Sequence, residues 1–196
     1  VDTTASFMHE LQMRWPSPVP ISVEEAKQYY AEHGRPIHWY TIPEALEFAR
    51  TLANDPPFHA RLEPIPGAIE GLQDLAAKGF VSCYATARLD TMRKETNDWQ
   101  QQYDAPAALT ILRPGWYEGH HTEWKAELLD RLYPEVIGTL DNDTRIARIL
   151  ERKGYPGTFF LFGPGSESYE AQNGTIIPVQ TWEDAVPKIQ RHFGRR

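Results

Sequence analysis

The run Val136-Ile-Gly-Thr-Leu140 stops at Asp141-Asn-Asp143, and Ile146, Ile149 and Leu150 then recur at helical spacing. A short apolar run ended by two acids, with an amphipathic helix directly behind it, reads as a buried strand that delivers carboxylates at its carboxyl tip. In open α/β sheets, ligands bind at that end of the strands. Two acids one residue apart repel each other unless positive charge sits beside them. A hard divalent cation such as Mg2+ meets that need, since it takes oxygen ligands and keeps waters. The same residues also suit a helix N-terminus, with Asp141 or Asp143 capping a helix from Thr144 onward.

The pattern repeats on both sides of this stretch. Helices are expected over 67–78, 91–103, 123–132, 144–153 and 182–193, and strands over 80–85, 109–112, 136–140, 157–162 and 175–179. Strands alternating with helices of ten residues or so make βαβ units, hence an α/β fold with a parallel sheet and helices on both faces. Ahead of it lies a helical and polar stretch. A helix over 7–15 places Phe7, Met8, Leu11 and Trp15 on one face. Ser22-Val-Glu-Glu25 has the form of a capping box. A further helix from Thr41 ends near Asn54-Asp55-Pro56, with Leu46, Ala49 and Leu52 inward. Proline clusters bracket residues 16–60, which marks them as a small helical cap inserted into a core made of 1–15 and 61–196.

Composition narrows the function classes. A net charge of -7 excludes a general nucleic-acid binder but permits a local phosphate site. The single cysteine, Cys83, forbids an internal disulfide framework and sits in an apolar run as a small core residue. A reducing cytoplasm is the expected compartment. No apolar run reaches the ~20 residues that a membrane-spanning helix needs.

Three strand-tip features then converge. Thr86 follows the first strand, Lys125 opens the helix after Leu112, and Asp141 with Asp143 follows the central strand. A hydroxyl, an ammonium and a carboxylate-held metal are what a phosphomonoester site needs. Each has an ordinary alternative: Thr86 as the cap of the next helix, Lys125 as a solvated charge, Arg88 as a surface ion pair. His120-His121 suits a polar loop. Trp39, Tyr40, Phe58 and His59 could form a base-stacking wall in the cap, or simply its core.

The order of these motifs resembles the haloacid dehalogenase (HAD) superfamily of aspartate-nucleophile phosphatases. Tyr84-Ala-Thr-Ala-Arg88 is similar to its second motif, Trp124-Lys-Ala-Glu127 to its third and Leu140-Asp-Asn-Asp-Thr-Arg145 to its fourth. Val1-Asp2-Thr3-Thr4 looks like the tail of its first. Leu62-Glu-Pro-Ile-Pro-Gly-Ala-Ile69 and Thr181-Trp-Glu-Asp184 resemble the pyrimidine deoxyribonucleotidase branch. The resemblance implies a Rossmann-like core and a Mg2+-dependent phosphatase acting through an aspartyl-phosphate, on a nucleotide or a nucleic-acid phosphate end. It implies Asp2 as general acid/base and metal contact and Thr86 as phosphate ligand. Arg88 and Trp39 would be further substrate contacts. Lys125 would neutralise charge, and Asp141 and Asp143 would hold Mg2+. The family's nucleophile stands two positions before Asp2. The native chain is therefore expected to begin earlier, with a few apolar residues and an Asp. The alternative is a phosphate- or nucleotide-binding domain without catalysis.

Overall fold

The computed structural model describes residues 3–16, 21–23, 25–26, 29, 42–172 and 174–194. The chain divides into two compact units, Val1–Ile65 and Pro66–Arg196.

The first unit is helical. Helix α1 (Thr3–Arg14) buries Met8 and Leu11, with Phe7 and Trp15 half-buried, as their spacing predicts. Met8, Leu11 and Trp15 join Ala26 and Ala45 in one cluster, and Phe7 packs in another with Leu52, Phe58 and Leu62. The capping box forms: the Glu25 backbone N–H donates to Ser22 Oγ at 3.1 Å, and the Ser22 N–H to the Glu25 carboxylate at 2.7 Å. Helix α2 (Pro43–Ala53) buries Ala45 and Leu52. The short helix α3 (Pro56–Ala60) follows, capped by Asp55, which accepts from the Phe58 N–H at 3.1 Å.

The second unit is α/β and parallel throughout, with small sheets. Helix α4 (Ala68–Ala77) leads into β1 (Cys83–Leu89). Gly67 is needed at the start of α4. Its φ is +74°, and a Cβ there would lie 3.3 Å from that of Trp182. A short 3-10 turn and α5 (Arg93–Gln102) connect β1 to β2 (Leu109–Arg113). Helix α6 (His121–Leu132) precedes β3 (Gly138–Asp141), and α7 (Thr144–Lys153) precedes β4 (Thr158–Phe162). Strand β5 (Ile176–Val179) and α8 (Trp182–Phe193) end the unit.

The strands form two sheets, one of order β1-β2 and one of order β3-β4-β5. In the larger sheet Gly138 pairs with Thr158, and Phe159 with Ile176. Strand β4 is paired on both edges and covered on both faces, so it carries an unbroken apolar run. Alternate side chains serve opposite faces. Phe159 and Leu161 pack with Leu129, Ile146 and Leu150 from α6 and α7. Phe160 packs with Leu75, Ala185 and Ile189 from α4 and α8.

Three expectations shift. Strands β1 and β3 begin two or three residues later than their apolar runs do, because a strand is bounded by its ladder and not by its hydrophobicity. Thr86 therefore lies inside β1, where the regular ladder with β2 ends before a register shift. His120-His121 is not a loop: His120 caps α6 and His121 is its first residue. Among the described residues, no helix is long and apolar enough to cross a membrane.

Candidate functional site

The carboxyl tip of β3 gathers most of the charged side chains singled out above. Asp141 is the last residue of β3, and Lys125 lies one turn into α6. Lys125 Nζ donates to Asp141 Oδ2 at 2.8 Å, with only 17% of the lysine and 13% of the aspartate side chain exposed. The other carboxylate oxygen, Oδ1, accepts from the Asp143 N–H at 3.0 Å. That bond fixes the turn between β3 and α7.

Asp143 is the N-cap of α7, as the simpler reading of the sequence allows. Its Oδ1 accepts from the Arg145 N–H and Nε, each at 2.9 Å, and its Oδ2 accepts from Arg145 Nη2 at 2.8 Å. A two-point guanidinium–carboxylate contact holds both groups in one orientation. Burial pushes the Asp143 carboxyl up, but the hydrogen bonds and charge of Arg145 outweigh it and hold the group below the usual carboxylate range. At the other end of α7, Gly154 adopts the left-handed conformation that stops the helix.

Helix α6 begins beside these acids. The His120 side chain accepts from a backbone N–H of the first turn, while Glu123 reaches back to the His120 N–H at 3.3 Å. This is a capping box with histidine in the place usually held by a short polar side chain. Burial, then the charges of His120 and Arg145, bring His121 down to about pH 4. It is neutral at pH 7. Its folded-state value lies below the ordinary 6.5, so the unfolded chain binds more protons between about pH 4 and 6.5. His121 thus contributes a loss of stability as pH falls through that window. In His121→Gln, denaturant midpoints measured from pH 7 to 4 should fall less steeply than in the parent.

Of the other candidates, Thr86 Oγ1 accepts from the Arg88 N–H at 3.3 Å, a local turn contact. Arg88 is half-buried and donates to Thr96 Oγ1 at 3.4 Å. Asp2 and Trp39 lie outside the described residues, as does Tyr40. Phe58 is 1% and His59 4% exposed, so both are packed into the first unit and neither offers a stacking face. Cys83 is half-buried, and burial pushes its thiol up.

Sequence reasoning gave Arg145 no role of its own and read His121 only as part of a polar loop. Away from these acids, Trp116, in the loop between β2 and α6, is 77% exposed beside an apolar groove shared with Tyr117 and Trp124. The only advance signal for any of them was Glu123 three residues after His120.

The donor set suits a hard cation in type: two carboxylates one residue apart, where Mg2+ ordinarily takes one or two and fills its remaining positions with water and phosphate oxygens. Among the described residues, no group of three or more His, Cys, Asp or Glu converges. Both carboxylates have both oxygens hydrogen-bonded, but Asp141 accepts two bonds where Asp143 accepts three, so Asp141 keeps the larger share of its lone pairs for a ligand. The sequence matches no protein-family model and none of the curated proteins it was compared with.

Proposed function

We propose that the chain is a Mg2+-dependent phosphomonoesterase of HAD type, acting on a nucleotide or a nucleic-acid phosphate end. The observation that carries this reading is the 2.8 Å pair between Lys125 and Asp141. These residues come from different elements, and their meeting at the tip of β3 supports the reading. Further support is the pair of cations, Lys125 and Arg145, beside the start of α7, where the helix dipole favours an anion.

In this reading Lys125 has two tasks. It holds Asp141 in one orientation, and it offsets the charge of a phosphoryl group as it is attacked. Arg145 fixes Asp143 and with it the turn that aims Asp141. Mg2+, when bound at Asp141 with Asp143 directly or through water, would supply charge neutralisation to the phosphate oxygens. In the resembled family the nucleophile is an Asp two positions before the one that Asp2 matches. It attacks phosphorus, the ester P–O bond breaks, and the leaving oxygen takes a proton from Asp2. Water then attacks the acyl-phosphate, Asp2 takes back a proton, and inorganic phosphate leaves with the nucleophile restored. Thr86 and Arg88 would bind the phosphate.

The test is release of inorganic phosphate from a panel of nucleoside monophosphates, using the full-length native protein. Mg2+ should stimulate release, and Asp141→Ala should lower it by about a hundredfold or more. Stabilisation by Mg2+ and phosphate in a thermal-shift assay, without any release, would instead favour the phosphate-binding domain. The absence of both effects removes both readings.

A further inference from the structure

The loop between β2 and α6 opens a groove on a different side of α6 from Asp141. Lys125 and Trp124 are neighbours on that helix, so their side chains leave it about 100° apart. Lys125 reaches Asp141, while Trp124 lines the groove with Trp116 and Tyr117. Glu127 and Arg131 are its charged members, and its volume is about 270 Å3.

Three observations say what such a groove suits. The first is the set of rings. Trp116 is 77% exposed, an unusual place for so large an apolar surface. Its ring centroid lies 6.5 Å from that of Tyr117, with the planes 57° apart, so the two form a corner and not a stack. A point between them is within about 6 Å of both centroids, the reach of a cation–π contact. Tyr117 is seated against Gly119, where a Cβ would come 2.6 Å from the tyrosine ring and 2.8 Å from its hydroxyl. The second is charge. Glu127 faces the groove, and Glu118 and Glu123 flank it in the chain. Burial, then the charges of Glu127 and Glu123, push the Tyr117 hydroxyl up against the opposing charge of Arg131, which puts those acids close to the ring. Arg131 is the one cation lining the groove. It is 78% exposed and meets Glu127 at 3.6 Å, a surface pair too weak to keep it from swinging out. Two other cations nearby are committed elsewhere, Arg113 to the Ala87 carbonyl and Lys125 to Asp141. The third is the apolar wall of Ile111, Leu112, Pro114 and Leu128. A primary ammonium is strongly hydrated and gains little there. A guest that is both cationic and clothed in methyl groups fits rings, carboxylate and wall together. Pockets for drug-sized ligands begin at about 300 Å3, so this groove takes one head group and not a whole large molecule.

We propose that the groove between Trp116, Tyr117 and Trp124 binds the trimethylammonium head of a small, choline-type molecule, with Glu127 as its counter-charge. Trp116 and Tyr117 present their faces to the methyl groups, and Glu127 exchanges Arg131 for the ligand. Trimethylammonium has no N–H to leave unpaired against the apolar wall. No bond is made or broken, and the site is independent of the phosphatase reading.

The experiment titrates choline chloride into the 196-residue chain labelled with nitrogen-15. The reporter is the Trp116 indole N–H signal, identified by its loss in Trp116→Leu. That signal should move with a Kd of about 1 mM. Dimethylbutanol, which has the shape of choline without the charge, and ethanolamine, which has the charge without the methyl groups, should each bind about tenfold more weakly. Trp116→Leu and Gly119→Ala should each weaken choline binding about tenfold, read from the broadening of the choline methyl signal, and Glu127→Gln about threefold. Trp116 is exposed, so Trp116→Leu should keep the parent melting temperature. An unmoved Trp116 signal overturns the proposal, as does equal binding of dimethylbutanol. Unchanged choline affinity in a fully folded Trp116→Leu overturns it too. A trimethyl-lysine peptide that binds tenfold more tightly than choline overturns the small-molecule assignment in favour of a peptide. Phosphate release is measured separately. Choline binding without release keeps this inference and removes the phosphatase; release without choline binding does the reverse.

Discussion

Lys125→Met should destabilise the second unit by about 3 kcal/mol, and Asp141→Asn by a smaller amount, while the double variant should recover most of the loss. The reasoning rests on what each change leaves behind. Lys125 and Asp141 are both more than four-fifths shielded from water and meet at 2.8 Å. Removing the ammonium strands a carboxylate that retains one backbone hydrogen bond, from the Asp143 N–H. Asn at position 141 keeps that bond, since an amide oxygen can accept it, and leaves only the lysine without its counter-charge. Lysine on a helix can turn toward solvent, so its cost is lower. With both charges removed no ion is left uncompensated. Urea midpoints for the four proteins measure the coupling directly. A coupling near zero would mean that the pair is ordinary surface electrostatics and that Asp141 is not held in place for any purpose. Under the phosphatase reading, catalysis follows a different rule. Both single variants and the double variant should lose phosphate release by about a hundredfold or more, because a stabilised fold does not restore a missing charge. Stability restored with activity still absent is the pattern that separates a functional pair from a structural one.

Much of the second unit was legible because helix boundaries carry local chemistry. Asp143 before α7, Gly154 after it and Thr181 before α8 are cap residues of ordinary type, and both helices run over the residues that periodicity predicts. The strands were less so. Val136 and Ile137 are apolar, yet β3 begins at Gly138, and no property of the side chains announces where a ladder bond is first made. Pairing between strands was illegible for the same reason. An apolar run states that a strand is buried, but not which neighbour it has, so the division into sheets of β1-β2 and β3-β4-β5 could not be read from composition or spacing. Within the site, Asp141 and Lys125 were found by motif order. Arg145 was overlooked because a residue two positions past a helix cap is usually solvated, and here it turns back to clasp that cap. Of the four residues weighed as a stacking wall or the cap's core, Trp39 and Tyr40 lie outside the described residues, and Phe58 and His59 pack as core. Phe58 and His59 sit on a five-residue helix, too short to show a face by periodicity, and that helix points both side chains inward.

Phe160→Ala should be among the most damaging single changes in the second unit, at about 4 kcal/mol, or roughly a 10 °C fall in melting temperature. Phe160 is 1% exposed at the middle of β4, the strand that is paired on both edges. It touches the rings of His192 and Phe193 edge-on, at centroid distances of 5.8 and 5.9 Å. Truncation therefore forfeits both the transfer energy of a benzyl group and the ring contacts that seat α8. The surroundings cannot easily close the gap, because the flanking strands hold β4 in register and α8 is fixed at its start by the Thr181 cap. Leu140→Ala makes the informative comparison. Leu140 faces the same cluster from β3, one strand away, but is only half-buried there. Its truncation should cost less than half as much in the 196-residue chain. If thermal melts show equal costs for the two truncations, β3 is as enclosed as β4 and the burial contrast between the two strands carries no energetic weight.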